Sequence, residues 1–130
     1  YRFPGGFPKG QVLFNAWRQA GAAELIVVEG FFDVFCLHQH GYPQAVALMG
    51  STASPAQSAW LVSSQKKLVL LLDGDKAGQS GQALLTRQLE RVRHPYRVIH
   101  LTEGVQPEHL SGQDLCNLFG LNEVSFLLNP

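Results

Sequence analysis

Two continuous apolar runs, each closed by an acid and a glycine, constrain this chain most: Leu25-Ile26-Val27-Val28-Glu29-Gly30 and Leu68-Val69-Leu70-Leu71-Leu72-Asp73-Gly74-Asp75. Runs of Val, Ile and Leu without polar alternation suit strands covered on both faces, as in a parallel sheet between helical layers. The acids then fall at the carboxyl ends of two central strands, where open α/β sheets place their ligand sites. A carboxylate at such a tip is costly to desolvate unless it meets a cation. Three of them converging, Glu29, Asp73 and Asp75, would make an oxygen-ligand site for Mg²⁺ or Mn²⁺.

The rest of the chain fits around those runs. Residues 1–10, rich in Gly, Pro and aromatic side chains, read as an irregular arm. The spacing predicts a helix over Val12–Ala20, a strand over Glu24–Val28, and a helix over Phe31–His40 stopped by Gly41. A short strand Ala45–Met49 follows. Ser54 is a good N-cap, with Pro55 at the first helical position and a helix to about Ser63. A strand Leu68–Leu72 leads to a long helix Ala77–Arg93 whose buried face is marked by Ala83, Leu84, Leu85 and Leu89. A fourth strand is expected at Tyr96–Leu101, then a polar loop over Thr102–Gly112 and short helices at Asp114–Phe119 and Val124–Leu128. Strands alternating with helices imply a mostly parallel sheet of about four strands flanked by helices.

Composition sets limits on partners and compartment. The 130 residues suffice for one core, and 45% apolar with 15% charged residues is the balance of a folded domain. Ten Lys+Arg offset ten Asp+Glu, so no overall basic field announces nucleic acid, although a local basic stripe beside acids also sums to zero. Cys36 and Cys116 match neither a zinc spacing nor a disulfide framework and read as reduced thiols, consistent with a cytoplasmic location. No apolar run is long enough to span a bilayer. The chain starts at Tyr1 and reads as a fragment of a longer protein. Trp17 and Trp60 are expected to pack in the core or an interface rather than stack bases, and His38 and His40 to lie at the surface. Phe3 and Phe7, on the arm, are candidates for a partner contact.

Each acid has a plainer role beside the chemical one. Glu29 and Asp33 sit where acids favour the N-terminus of the Phe31–His40 helix. Asp33 equally suits a supporting hydrogen bond to Glu29 or to a metal. In Asp73-Gly74-Asp75 the alternate residues of an extended stretch point the same way, so both carboxylates can face one ion; alternatively one of them caps the following helix. Lys76-Ala77-Gly78 opens that helix, whose N-terminus can receive phosphate oxygens.

In order and context these pieces resemble the Toprim domain of primases, topoisomerases and some nucleases. The resemblance is nearest to DnaG-type bacterial primases and primase-like proteins of mobile elements. It rests on Ile26-Val27-Val28-Glu29-Gly30-Phe31-Phe32-Asp33-Val34, Ala45-Val46-Ala47-Leu48-Met49-Gly50-Ser51, Leu70-Leu71-Leu72-Asp73-Gly74-Asp75-Lys76-Ala77-Gly78 and the arm Phe7-Pro8-Lys9-Gly10. It implies a compact α/β, Rossmann-like Toprim fold, with residues 1–23 an arm and helix and 24–130 the catalytic domain. It also implies that Glu29, Asp73 and Asp75 carry the metal chemistry, with Asp33 behind them. The loop Glu103-Gly104-Val105-Gln106-Pro107-Glu108 offers Glu108 as a further ligand, while Gln106 stands where primases usually have Asp. Asp114 competes with Glu108, or is simply an acid at a helix start.

The activity implied is metal-dependent nucleotidyl transfer, synthesising RNA primers on single-stranded DNA from NTPs with Mg²⁺ or Mn²⁺. Lys9 and Lys76 are the best-placed cations for template or nucleotide phosphates, with Arg2, Arg18 and Lys67 behind them. A replicative helicase is a conceivable partner; no membrane is implied, and the oligomeric state is open. A Toprim nuclease using the same acids, and a non-catalytic nucleic-acid interaction module suggested by Gln106, are the alternatives. Primases of this type carry a zinc module and a basic subdomain before this core, so the isolated chain is expected to bind metal but prime poorly.

Overall fold

A computed structural model describes Gly10, residues 13–19 and residues 21–119. Within it, β1 (Glu24–Val28), β2 (Ala45–Ala47), β3 (Lys67–Leu70) and β4 (Tyr96–Val98) form one four-stranded sheet in the order β2-β1-β3-β4. Every neighbouring pair is parallel, with Val28 opposite Ala47, Val27 opposite Leu70, and Leu70 opposite Val98. The connecting helices are α1 (Phe31–Gln39), α2 (Pro55–Ser63) and α3 (Lys76–Arg91), and residues 112–119 are helical.

Successive side chains of a strand point to opposite faces, so each apolar run feeds two cores at once. Leu25, Val27, Leu68 and Leu70 join Leu61 of α2 and Leu85 and Leu89 of α3. Ile26, Val28 and Val69 join Val34 and Leu37 of α1, with Leu115 and Phe119. Residues 25–28 and 68–71 are wholly buried. Each such aliphatic side chain stabilises the fold by about 1.5–3 kcal/mol relative to exposure.

Most expected elements are present, with shifted ends. Met49 has a positive φ of 61°, which ends β2 early and turns the chain toward α2. Ser54 caps α2 as expected: its Oγ accepts from Gln57 N at 3.1 Å, and Gln57 Oε1 accepts from Ser54 N at 3.0 Å.

The helix expected at Val12–Ala20 is not formed over described residues 13–19, which hold only a 3₁₀ turn at Ala16–Arg18. Phe14 instead makes an antiparallel bridge to Ala47, covering the free edge of β2. Asn15, at φ 69°, sends its Nδ2 to the carbonyls of Pro43 and Ala45. A sheet edge needs hydrogen-bonding partners, and here that need outweighs helix propensity.

The buried face of α3 also differs from expectation. Ala83 and Leu84 are exposed, and Gly78, Gly81, Leu85 and Leu89 face inward. Trp17 is 77% exposed and Trp60 sits at the surface, so neither is a core residue. The arm with Arg2, Phe3, Phe7 and Lys9, and the segment Val124–Leu128, lie outside the described residues.

Candidate functional site at the strand tips

β1 and β3 are adjacent in the sheet, but the chain leaves β1 toward β2 and leaves β3 toward β4. This divergence opens a crevice between their carboxyl ends, the usual ligand position in a parallel sheet. Glu29 follows β1 and Asp73 follows β3, so one acid comes from each wall. Glu29 Oε2 accepts from Asp73 N at 2.6 Å, joining the two strand tips directly. The Glu29 carboxylate thus turns sideways to β3 rather than onto the start of α1.

Asp33, in the first turn of α1, uses both oxygens. Oδ2 accepts from Gly30 N at 3.0 Å and Oδ1 from Glu108 N at 2.9 Å. It therefore ties the β1–α1 turn to the 3₁₀ turn Pro107–His109, rather than bonding Glu29 as one sequence reading allowed. Cys36 Sγ lies beneath the same loop, 3.8–3.9 Å from the carbonyls of Pro107, Glu108 and Leu110.

In the other turn, Asp75 takes the capping role: its Oδ1 accepts from Gly78 N at 2.7 Å. Asp73 Oδ1 is buried with no hydrogen-bond partner among the described residues. An orphaned carboxylate oxygen is an expensive thing to bury, and it marks where a cation or donor would be welcomed. Glu29, Asp33, Asp73, Gln106 and Glu108 line a cavity of about 280 Å³ together with Phe31, Phe32, Met49 and Ser51.

The charges resist this crowding. Burial, followed by the charge of Glu29, raises the Asp73 carboxyl to about 7. Burial raises Asp33 to about 6 despite its two N–H donors. Glu29 is also raised, chiefly by burial and against the pull of the Asp73 N–H. A site that holds acids partly protonated near neutrality is one that a cation would relieve.

Among the described residues, no three His, Cys, Asp or Glu side chains form a ready-made metal cage. The donors nevertheless suit a hard divalent ion of the Mg²⁺ kind, which is commonly held by one or two carboxylates with substrate phosphates completing its shell. Glu29 and the open oxygen of Asp73 provide such a pair.

Of the remaining candidates, Lys76 is exposed at the first position of α3, beside this crevice. Lys67 begins β3, at the far end of the sheet from Asp73, and is not brought to the site. Asp114 is a cap: Oδ2 accepts from Ser111 N at 2.9 Å, and Ser111 Oγ accepts from Asp114 N at 3.1 Å. It does not line the acidic cavity. His38 and His40 are exposed, as expected.

Sequence reasoning missed the glycines that let the walls close. A Cβ at Gly78 would lie 2.2 Å from Asp73 O and 2.9 Å from Glu29 Oε2. One at Gly74 would lie 2.2 Å from Thr102 O, and one at Gly81 1.7 Å from Ser51 O. The available signal was two glycines three apart in a helix, each costing about 1 kcal/mol relative to Ala, which calls for a packing reason.

Residues 23–102 match the Toprim domain model. Over 92% of its length the chain is 34% identical to the DNA primase of Deinococcus radiodurans, of which it covers 23%. It is 33% identical over 70% of its length to DNA primase DnaG of Pyrobaculum calidifontis, covering 21% of that protein. The chain thus spans less than a quarter of these relatives. Among solved structures, the zinc-binding and RNA polymerase domains of Aquifex aeolicus primase align over 98% of this chain and 32% of their own, with a TM-score of 0.69 and 27% identity. A DnaG primase catalytic domain bound to single-stranded DNA aligns over 92% of this chain and 40% of its own, with a TM-score of 0.73 and 25% identity. With its parallel sheet, its acids at the β1 and β3 tips and similarity to DNA primases along most of its length, this chain belongs to the Toprim family.

Proposed function

We propose that this chain is the catalytic Toprim core of a DNA primase-like protein, joining NTPs into RNA primers on a single-stranded DNA template with Mg²⁺ or Mn²⁺. The observation that carries this reading is the buried oxygen of Asp73, unpartnered among the described residues, beside Glu29 at the crevice between two parallel strand tips. Family membership and the single-stranded DNA held by a similar catalytic domain support the choice of substrate class.

Glu29 and Asp73 would hold the divalent ion, with Asp75 and Glu108 at its margin. The ion supplies charge neutralisation for the phosphates and a lowered pKa for the attacking hydroxyl. Glu29, at the tip of β1 beside Asp73, would also accept that hydroxyl's proton. Asp33 positions Glu108 through the main chain. Lys76, at the start of α3, meets phosphate oxygens alongside the helix N-terminus, and Lys9 is the corresponding cation on the arm. Phosphoryl transfer demands alignment above all, and the direct Asp73 N–Glu29 bond holds the two walls in register.

The test is calorimetric titration of the chain with Mg²⁺ and Mn²⁺, beside an Asp73→Asn, Asp75→Asn double variant. Saturable binding lost in the variant is expected, with little primer synthesis by the chain alone and synthesis by a longer protein that contains it. Binding that survives the double substitution would overturn the site assignment. A longer protein that cleaves DNA with these acids and makes no primer would overturn the activity.

A further inference from the structure

Beside the acidic cavity lies a surface of opposite character. Val34 and Leu37 carry the core contact of α1, at 2% and 0% exposure, whereas Phe32 and Phe35 of the same helix are 56% and 48% exposed. These rings are not idle cover. Phe31 lies 4.5 Å from Phe32 and 5.9 Å from Phe35 between centroids, and Phe14 lies 5.7 Å edge-on from Phe35. Beyond Phe14, the guanidinium of Arg18 sits 4.6 Å over the exposed Trp17 ring. Phe31 and Phe32 line the acidic cavity, while Phe14, Phe35, Trp17 and Arg18 line a second cleft of about 170 Å³. The aromatic cluster is therefore continuous from one to the other.

We propose that this face is a stacking track for the bases of a single nucleic-acid strand, running from the Trp17–Arg18 pair to the acidic cavity. Every base offers a π face, so a row of exposed rings holds a strand without reading its sequence. Two details favour a strand over a protein segment. The exposed side chains along the track are aromatic rather than aliphatic. The ionisable groups lining the second cleft are Arg18 and His38, with no carboxylate among them, and Arg18 has no acid partner among the described residues. A cation stacked on an indole at the end of an aromatic row complements a phosphodiester and a base together. The destination of the strand rests on the reading of the acidic cavity given above; the track itself does not.

The test is fluorescence anisotropy of a short dye-labelled oligothymidylate titrated with the 130-residue chain in EDTA. Because the divalent ion is removed, failure of the metal reading and failure of the track are seen separately. Binding is expected in EDTA and should be weakened about tenfold by Phe35→Ala and by Trp17→Ala, with Phe35→Tyr near the parent value. Phe35→Leu distinguishes stacking from apolar cover: a track predicts the same loss as Ala. A Leu variant that binds like the parent would overturn the proposal in favour of a docked protein segment, and so would absent oligonucleotide binding or unaffected Ala variants. In a Trp60→Phe background the remaining Trp17 emission should be quenched on adding oligothymidylate. A chain that folds but shows no quenching overturns the track independently of the variants.

Discussion

The two acid-bearing turns of this domain are built alike and finished differently. After β1 the chain runs acid, glycine, helix, with Asp33 reaching back to Gly30 N; after β3 it runs acid, glycine, acid, helix, with Asp75 capping Gly78 N. In the first turn the hydrogen-bond demand is met on both sides, since Glu29 accepts from Asp73 N and Asp33 accepts twice. In the second, Asp73 keeps one buried oxygen that accepts from no donor among the described residues. The first turn is braced by hydrogen bonds, and the second keeps an unmet acceptor. On the reading proposed above, Glu29 would meet the ion from a wall already held in place, while Asp73 would bring the unmet valence.

Glycine substitution separates the turns most sharply. Gly78→Ala drives a methyl into Asp73 O and the Glu29 carboxylate, and should cost about 3 kcal/mol in urea unfolding. Gly30→Ala, at φ −110° with its nearest neighbour at 3.4 Å, is the matched control and should cost under about 1 kcal/mol.

Next in size is Asp33→Ala, which strands the N–H groups of Gly30 and Glu108. A loss of about 2 kcal/mol is expected, with faster hydrogen exchange at the Glu108 amide than in the parent.

The open turn should reveal itself in pH. Asp73 is raised from 3.8 to about 7 and Asp33 from 3.8 to about 6, so the folded chain holds protons that the unfolded chain has released. Over that interval the unfolded state binds fewer protons, and stability falls as pH rises from about 4 to about 7. Denaturant midpoints in EDTA should follow this slope. Asp73→Asn should flatten it and stabilise the chain at pH 7.5 by about 1 kcal/mol, after allowance for solvent screening. A midpoint that rises over the same range would contradict the assignment. The smallest effect belongs to Asp75→Asn: Asn is as good an N-cap as Asp, so stability should change by less than about 0.5 kcal/mol in the same unfolding experiment.

Much of this was legible in the residues because it is governed by short-range rules. The apolar runs name the central strands, Ser54-Pro55 names a helix start, and acid-glycine pairs at strand ends name the crevice. What was not legible depends on approach between distant segments. Ala83 and Leu84 looked inward by hydrophobicity, but α3 turns Gly78 and Gly81 to the loops that follow the strands, because its N-terminal half passes too close to Asp73 and Ser51 for side chains. The stretch before β1 looked helical until the open edge of β2 is considered, whose hydrogen bonds Phe14 supplies. The partnership of Asp33 with Glu108 spans 75 positions and leaves no local trace. Trp17 looked like a core or interface residue by its apolar area, and no neighbour in sequence reveals that it stays outside the core.

The bond from Glu108 N to Asp33 has a further consequence. It grips the loop over residues 103–108 by its main chain, as do Gly74 N donating to Val105 O at 2.9 Å and the turn closed by Val105 N on Thr102 O. None of these contacts consults the loop's side chains. The wall of the cavity is thus a fixed rail on which individual residues are interchangeable fittings, and the side chain at Gln106 can be exchanged without moving the rail. A loop held this way can change what it presents to the cavity one residue at a time, while the geometry that presents it stays unchanged.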